Sequence, residues 1–398
     1  MRILCLTARL PHPPNRGDRL RAYNFIRQLS LRHQITLASF IEDDAETANL
    51  AALRPYCSAI HIVHLDKRHS MTAAAAGITR TIPLQSLYYQ SAAMSNTVDR
   101  LLFREHFDVV YVHLFRMAQY VEKHPGPYRV LDLTDVISQE IARSLPYRDA
   151  RWRAIYRLEL PRIARYEREL PARFEETWLI SESDRQALVE AGAAGNIHVV
   201  RNGVDIDTYR PLGRPAGTPA LIFVGHMGVA HNVDAAETLA REVLPLVRQD
   251  VPSTYLSIVG AEPNEAVRAL ASLPGVRVAG HVQDLNAALN QAAVFVAPLR
   301  FAAGVQNKVL EAMAAGLPVV TNALVNAGLG ARDGIELILA EDPAEQAAAI
   351  VALLHDPIRR AAVGSAGRAF VQQQFRWDHV ARRMAEIERS LVESGRGR

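Results

Sequence analysis

The sequence predicts an α/β protein made of two successive domains, each built on a parallel sheet. Short apolar runs of strand length alternate with helical patterns in one series up to residue 181 and in a second series over 220–339. The strands are apolar along their whole length, which is typical of parallel sheets covered by helices on both faces. A stretch rich in Pro and Gly, residues 210–219, separates the two series and is predicted to be a linker.

The size and composition fit this architecture. With 398 residues, 49% apolar and 22% charged, the chain resembles a soluble globular protein of two to three domains. Its net charge of +3 is only mildly basic. Cys5 and Cys57 cannot form a disulfide framework, which favours the cytoplasm. No apolar run reaches the ~18 residues that a membrane-spanning helix needs.

The first series contains six predicted strands, the fourth ending at His113. A helix is expected from Asp18 to about residue 31, and residues 137–174 are expected to be mostly helical. Prolines should interrupt that second region near Pro146, Pro161 and Pro171. The predicted strands are 1–7, 35–40, 60–64, 108–113, 129–133 and 176–181.

The second series also contains six predicted strands, followed by an amphipathic helix over 375–392. We therefore divide the chain into a first domain at 1–205, a second at 206–374 and a terminal helical segment at 375–398. The predicted strands are 221–224, 256–259, 276–279, 294–297, 319–321 and 335–339.

The most informative stretch is 294–322, which reads as strand, loop, helix and strand. Gly304 lies in the loop, where the backbone can approach a ligand closely. Asn307 is a good N-cap for a helix over 307–315, and Gly316 is well placed to end it. Because the loop follows the carboxyl end of a strand and the helix N-terminus favours anions, we expect a phosphate site here.

Two charged residues of this helix suggest what the ligand is. Lys308 lies in the first turn, where a cation is unfavourable for the helix unless an anion binds there. Glu311 lies three residues later on the same face, and its carboxylate can accept two hydrogen bonds from a diol such as ribose. The alternative is an ordinary helix start with a solvated Lys308–Glu311 pair, and the spacing alone does not decide between them.

The stretch resembles the nucleotide-sugar site of family 4 glycosyltransferases, which have the GT-B fold. It is most similar to the bacterial exopolysaccharide-type sugar transferases, whose pattern is GxQNKxLEAMAxGxPVV. One departure is Ala303, where the broader family usually has a Glu that contacts the donor sugar. The matching residues are Gly304, Gln306, Asn307, Lys308, Glu311, Ala312, Met313, Ala314, Gly316, Pro318, Val319 and Val320.

The resemblance implies two Rossmann-like domains facing across a cleft, with the last helix crossing back onto the first domain. It implies that 1–205 bind the acceptor and that 206–374 bind a nucleotide diphosphate sugar, with retention at the anomeric carbon and no metal. It also implies a second set of donor-binding residues. These are Gly17, Asn202, Gly225, Met227 and Asn232, together with Val305 between Gly304 and Gln306.

Four further positions are of interest. Many family members place an Arg and a Lys on the donor diphosphate where this chain has His226 and His231, so Lys308 would have to compensate the charge. His113 ends a strand at the position where the family often has a His near the donor sugar. Asp135 can orient an acceptor hydroxyl, or it can cap a helix. For His113, His226 and His231 a structural role is the alternative.

Other sites and partners are less well supported. Residues 143–173 contain nine Arg and four acidic residues with aromatic residues between them, which predicts either a surface for anionic lipid or a solvated helix face. No motif for metal, nucleic acid, dinucleotide or Walker-type phosphate binding appears. We therefore expect a cytoplasmic glycosyltransferase, peripheral on the inner membrane face if the lipid surface is real. The alternatives are a nucleotide-sugar 2-epimerase and a non-catalytic nucleotide-sugar-binding subunit.

Overall fold

The computed structural model describes residues 1–124, 126–213, 219–301 and 304–394. The chain divides into two compact units. Unit 1 consists of Met1–Arg201 together with Trp377–Arg398, and unit 2 consists of Asn202–Arg376. The boundaries predicted from the sequence were 205/206 and 374/375. In the described ranges, no helix has the length and apolar character needed to cross a bilayer.

Unit 1 is built on a seven-stranded parallel sheet in the order β3-β2-β1-β4-β5-β6-β7. The direction of the strand order changes between β1 and β4, and ligands bind at such points in open α/β sheets. The strands are β1 Arg2–Thr7, β2 Gln34–Ile41, β3 Ala59–His64, β4 Val109–His113, β5 Tyr128–Thr134, β6 Glu176–Leu179 and β7 Ile197–Val199.

Helices cover both faces of this sheet because successive strand residues point to opposite sides. Leu4 and Leu6 of β1 pack in one apolar cluster, and Ile3 and Cys5 of the same strand pack in the other. The helices up to the end of this sheet are α1 Gly17–Leu29, α2 Lys67–Ala76, α3 Leu84–Tyr88, α4 Ala92–Arg104, α5 Ile137–Ser144, α6 Ala150–Glu169 and α7 Glu182–Glu190.

The prediction that proline would interrupt the Arg-rich region is correct at two positions and wrong at one. Pro146 and Pro171 lie in short 3-10 turns, but Pro161 lies inside α6. Pro161 is on the exposed side of the helix, while Glu159 and Ile163 on either side of it are buried. Packing of the inner face therefore maintains the helix despite the loss of one backbone donor.

Unit 2 is built on a six-stranded parallel sheet in the order β10-β9-β8-β11-β12-β13, which reverses between β8 and β11. The last strand is shorter than predicted. Its strands are β8 Ala220–Val224, β9 Tyr255–Val259, β10 Val276–Gly280, β11 Val294–Ala297, β12 Val319–Thr321 and β13 Ile338–Leu339. Its helices are α8 Ala230–Thr238, α9 Leu244–Asp250, α10 Glu265–Ala269, α11 Leu285–Asn290, α12 Asn307–Ala314, α13 Ala323–Leu329, α14 Pro343–His355 and α15 Pro357–Gln374.

The final helix, α16 His379–Glu393, returns to unit 1 as predicted. Its buried residues recur at helical spacing and join the apolar cluster formed by α1 and one face of the unit 1 sheet. The ring of Trp377, just before α16, lies 6.2 Å from the ring of Phe25 in α1. The buried face of α16 consists of Val380, Met384, Ile387 and Leu391.

Candidate functional site

In unit 2, the predicted donor residues other than Asn202 lie in the loops that follow β8 and β11 and in the helices α8 and α12 that those loops lead into. The sheet order reverses at these two strands. The β8 loop begins at Gly225, and a Cβ atom there would lie 2.7 Å from Cγ of Asn232. Asn232 Nδ2 donates to the His226 carbonyl at 3.0 Å. Gly225 therefore lets the Asn232 amide pack directly on the loop backbone. Met227 is buried in the same loop, and its N–H donates to the Ala261 carbonyl at 2.8 Å.

The loop after β11 leads into α12 and brings Lys308 to the same place. Lys308 Nζ donates to Asn232 Oδ1 and to Gln306 Oε1, each at 2.9 Å. The prediction that Asn307 caps this helix is wrong, because Gln306 occupies the N-cap position and Asn307 is the first helical residue. The Asn307 side chain instead accepts a hydrogen bond from Asn202 Nδ2 at 3.1 Å.

The two charged residues of α12 are half-buried, and they do not form the solvated pair that the sequence left open. Burial lowers the pKa of Lys308 to about 8, and attraction to Glu311 offsets only part of this effect. Burial raises the pKa of Glu311 to about 7, although a hydrogen bond from Tyr209 and the nearby Lys308 favour its charged form. Both groups therefore titrate unusually close to neutral pH.

The backbone conformation of the loop after β11 accounts for the glycine at position 304. Gly304 has a φ of 53°, in the left-handed region that favours glycine. Its carbonyl packs closely on α13, because a Cβ atom on Gly328 would lie 2.6 Å from Gly304 O. Val305 is buried against this turn. Ala303, which replaces the expected donor-sugar Glu, lies outside the described residues.

The two histidines of the β8 loop have protein contacts. His226 Nδ1 accepts a hydrogen bond from the Gly228 N–H at 3.3 Å, and its Nε2 lies 3.5 Å from Glu262 Oε2. The ring of His231 meets the ring of Phe301 edge-on, with 6.3 Å between centroids. These contacts fit the structural alternative for both histidines.

In unit 1, His113 ends β4 and is 2% exposed. Its Nε2 donates to the Asp18 carbonyl at 3.1 Å, and its Nδ1 lies 3.5 Å from Asp132 Oδ2. Asp18 follows Gly17, the exposed first residue of α1. The residue after His113, Leu114, has a φ of 71°, which is rare for a non-glycine residue and is frequently found at functional sites.

A fully buried ion pair, Arg21–Asp132, lies next to His113. Arg21 of α1 binds Asp132 with two hydrogen bonds, from Nε at 2.7 Å and from Nη2 at 2.9 Å. The Tyr111 hydroxyl also donates to Asp132. Burial alone would raise the pKa of the Asp132 carboxyl, but Arg21 and His113 outweigh it and hold that pKa below its usual range.

Asp135 does not cap α5, which was the structural alternative for this residue. The N-terminal N–H groups of Ile137 and Ser138 are instead bound by the buried carboxylate of Glu167. Burial and the neighbouring Asp184 raise the pKa of Asp135 well above its usual range. The described residues contain no group of three or more His, Cys, Asp or Glu side chains arranged to hold a metal ion.

Three residues around these sites were not predicted. Asp132 could have been found, because a charged residue inside an apolar strand must have a partner when it is buried, but its partner Arg21 lies in α1 and is identified only by the fold. Tyr209 lies in the segment that follows Asn202, and only the fold brings it to Glu311. The guanidinium of Arg368 holds that segment by donating to the Tyr209 carbonyl at 3.0 Å and to the Ala314 carbonyl of α12.

The unit 2 site lies within a stretch that matches a known family. The model of the family described as "Glycosyl transferases group 1" covers residues 218–356, which include Gly225, Asn232, Lys308 and Glu311. This stretch is a group 1 glycosyl transferase domain. Tyr209 lies just before the group 1 domain in the sequence.

Two curated relatives place the group 1 domain among named glycosyltransferases. The D-inositol 3-phosphate glycosyltransferase 1 of Catenulispora acidiphila is 28% identical over 54% of this chain and 57% of that protein. A GDP-mannose-dependent alpha-(1-6)-phosphatidylinositol monomannoside mannosyltransferase of Mycobacterium tuberculosis is 32% identical over 50% of this chain and 57% of that protein. The chain therefore matches little more than half the length of these relatives.

A solved structure extends the likeness over both units. The Anabaena protein HepE, in complex with UDP and glucose, aligns with a TM-score of 0.66 and 15% identity over 97% of this chain and 98% of that chain. At this identity the likeness concerns the fold alone. The predicted two-domain α/β fold of the GT-B class is confirmed.

Proposed function

We propose that this protein transfers a sugar from a nucleotide diphosphate sugar to a glycan or lipid-linked acceptor, with retention at the anomeric carbon. The observation that carries the proposal is the Lys308 ammonium, held by two neutral amide oxygens beside the N-terminus of α12. A cation and the free N–H groups of a helix start together suit a diphosphate. Glu311, one turn along the helix, is proposed to accept hydrogen bonds from the ribose hydroxyls.

The proposed chemistry gives these residues separate tasks. The bond between the anomeric carbon and the diphosphate oxygen breaks, an acceptor hydroxyl forms the new bond at that carbon, and the hydroxyl proton passes to the departing diphosphate. Negative charge grows on the departing diphosphate, so Lys308 stabilises the transition state more than the ground state. The ribose contact with Glu311 changes little during reaction and supports donor binding. His113 and Asp135 are proposed to act on the donor sugar and the acceptor hydroxyl, respectively.

We propose further that the donor site works without a metal ion, since Lys308 supplies the positive charge. Turnover in EDTA equal to turnover in added Mg²⁺ is the expected result. A loss of activity in EDTA that Mg²⁺ restores would contradict this part of the proposal.

The acceptor is proposed to lie at an anionic membrane surface, as part of exopolysaccharide or cell-surface glycan synthesis on the cytoplasmic side. The relatives named above act, by their names, on inositol phosphate and phosphatidylinositol mannoside. In α6, Glu159 and Glu167 are buried, whereas Arg151, Arg157 and Trp152 are exposed. An outer face of Arg and Trp on a helix that buries two of its three acidic residues suits an anionic lipid surface.

The experiment that tests the main proposal has two stages. A thermal-shift screen with UDP-, GDP- and ADP-sugars should identify one donor that raises the melting temperature, because a ligand that binds only the native state stabilises it. That donor, labelled in its sugar, is then incubated with and without glycan acceptors. Transfer that requires an acceptor supports the proposal. A 2-epimer formed without acceptor, or binding without any turnover, would overturn it in favour of the epimerase or the binding subunit.

A further inference from the structure

The ammonium of Lys308 has an unusual set of partners. An ammonium carries three N–H donors. Two of them are used at 2.9 Å, by Asn232 Oδ1 and Gln306 Oε1. Throughout the described ranges, no carboxylate lies within ion-pair distance of Lys308 Nζ. The Lys308 charge is thus held in place by neutral groups, and its third donor remains available for a ligand.

Asn232 cannot easily turn away from this contact. It is 4% exposed, and its amide packs against Gly225, where there is no room for a Cβ atom. Its Nδ2 donates to the His226 carbonyl at 3.0 Å, which leaves Oδ1 directed at Lys308. A flipped amide would put its NH₂ group against the ammonium and its oxygen against a carbonyl oxygen. Both contacts would be repulsive, so the loop fixes the orientation of the amide.

We propose that Asn232 is a positioning residue that holds the Lys308 ammonium toward a diphosphate while leaving its charge uncompensated. It acts through Lys308 and need not touch the ligand itself. This inference rests on the proposed function, because it concerns how the same donor site recognises a diphosphate. It also gives Asn232 a reason to be an amide rather than a carboxylate of almost the same shape.

The reason is electrostatic. An aspartate at position 232 would still accept a hydrogen bond from Lys308, but it would neutralise the ammonium and place a negative charge beside the diphosphate. Charged groups at such distances interact strongly in a partly buried site, so this change acts on a charged ligand. A nucleoside without phosphates should be affected much less. The difference between the two ligands separates an electrostatic role from a general structural one.

The test compares binding of UDP, GDP and ADP with binding of the matching nucleosides by titration calorimetry. The nucleoside diphosphate that the wild-type protein binds most tightly is chosen. Asn232→Asp should weaken its binding at least tenfold and change nucleoside binding by less than twofold. Gln306→Glu, which places the same new charge on the other amide partner of Lys308, should act in the same direction. Because Asn232→Asp loses the bond to the His226 carbonyl, Gln306→Glu keeps the test valid if Asn232→Asp fails to fold.

The matched control is Gln291→Glu, which adds the same charge to an exposed residue just after α11 of unit 2. It should change neither affinity by more than twofold. Equal losses of diphosphate and nucleoside binding in both test variants would overturn the inference and show a structural role. So would unchanged diphosphate binding in a folded Asn232→Asp protein. If Lys308→Ala also leaves diphosphate binding unchanged, the proposed function fails; if Lys308→Ala weakens it, only the role of Asn232 fails.

Discussion

The two units bury charge in opposite ways. In unit 1, Arg21 and Asp132 are both fully buried and bind each other with two hydrogen bonds. In unit 2, Lys308 and Glu311 lie on one face of α12, yet Lys308 donates to two amides, and Tyr209 lies close enough to Glu311 to favour its charged form. The first arrangement keeps both charges at all moderate pH values. The second moves the pKa of each group toward neutrality, which leaves both groups available for a ligand of complementary chemistry.

We infer that the Arg21–Asp132 pair of unit 1 holds the fold, whereas under the proposed function Lys308 and Glu311 of unit 2 serve donor binding. A buried pair is strongly destabilised when one partner is removed, because the other charge then lacks compensation. A half-buried cation without an ion-pair partner destabilises the empty protein, and its removal should cost little stability. The effects of substitution should therefore differ between the units in kind as well as in size.

The largest effect is expected from Arg21→Met. Asp132 would remain buried without its guanidinium partner, with Tyr111, His113 and the Thr134 N–H beside it, so the free energy of unfolding should fall by roughly 3–5 kcal/mol. Lys308→Met removes the cation of unit 2 together with its two hydrogen bonds to neutral amides, so the free energy of unfolding should fall by less than about 2 kcal/mol. Urea denaturation of the two variants measures both values. Equal losses of stability would remove the distinction between the two units.

A smaller effect, on catalysis, is expected from Lys308→Ala. Loss of a charge-assisted hydrogen bond costs roughly 1.5–3 kcal/mol, which corresponds to about 10–150-fold. Because the charge matters most in the transition state, kcat should fall together with donor affinity. Glu311→Gln should mainly raise the donor KM. Steady-state kinetics with the donor identified by the screen provides the measurement, and wild-type kcat and KM in a folded Lys308→Ala protein would contradict the assignment of the site.

Sequence patterns were sufficient for the alternation of elements, and they singled out Lys308 and Glu311 as candidate site residues. They were not sufficient for the partners of these residues. Asn232 is 76 residues from Lys308 in the chain, and the two meet because β8 and β11 are neighbours at the point where the sheet order reverses. The Asn307 cap was wrong for a related reason, since Asn202, 105 residues away, binds its side chain. Patterns local in the sequence predict where helices begin and which residues are charged. Contacts between loops depend on the order of the strands in the sheet and cannot be predicted from such patterns.

The next prediction concerns the pH dependence of donor KM, in which protonation of Glu311 should produce a change of about tenfold between pH 8 and pH 6. The pKa of Glu311 is about 7 in the ligand-free protein, so roughly nine-tenths of the carboxyl is protonated at pH 6. A protonated carboxyl is a poorer acceptor for two ribose hydroxyls. The ratio of the wild-type donor KM to that of Glu311→Gln at the same pH should therefore rise as pH falls from 8 to 6, because the titration of Lys308, whose pKa is about 8, affects both proteins. Glu311→Gln should have a high KM at both pH values. A ratio that is constant over this range would contradict the assignment of Glu311 to the ribose.

The raised pKa of Glu311 also affects stability, but in the opposite direction: low pH weakens donor binding and stabilises the fold. A carboxyl whose pKa is raised in the folded state contributes stability that is complete below its unfolded pKa and is lost as pH rises through the folded value. Glu311 should therefore make the protein less stable between about pH 4.5 and pH 7 as pH increases. Asp132 has a lowered pKa, so its contribution is present above its unfolded pKa and is lost only in strong acid. Thermal denaturation at several pH values should show a smaller slope between pH 5 and pH 7 in Glu311→Gln than in the wild type.

The smallest effect on stability is expected on the outer face of α6, where charge is neither paired nor buried. Arg151 and Arg157 are exposed, and within the described residues neither forms an ion pair. Replacing both by Glu should change the free energy of unfolding by less than about 0.5 kcal/mol per site, as for most surface substitutions. Binding to vesicles should respond strongly, because each basic residue near an anionic surface contributes about 1 kcal/mol.

The membrane test uses vesicles of phosphatidylcholine with and without phosphatidylglycerol. The wild-type protein should sediment only with the anionic vesicles and should dissociate as salt increases. The double variant Arg151→Glu/Arg157→Glu should lose this binding. The control, Arg268→Glu/Arg359→Glu, makes the same change in charge on exposed residues of unit 2 and should still bind. Equal losses in both double variants would mean that net charge, and not the outer face of α6, directs binding. If the wild-type protein binds neither kind of vesicle, the exposed Arg residues of α6 form a solvated surface without a lipid partner.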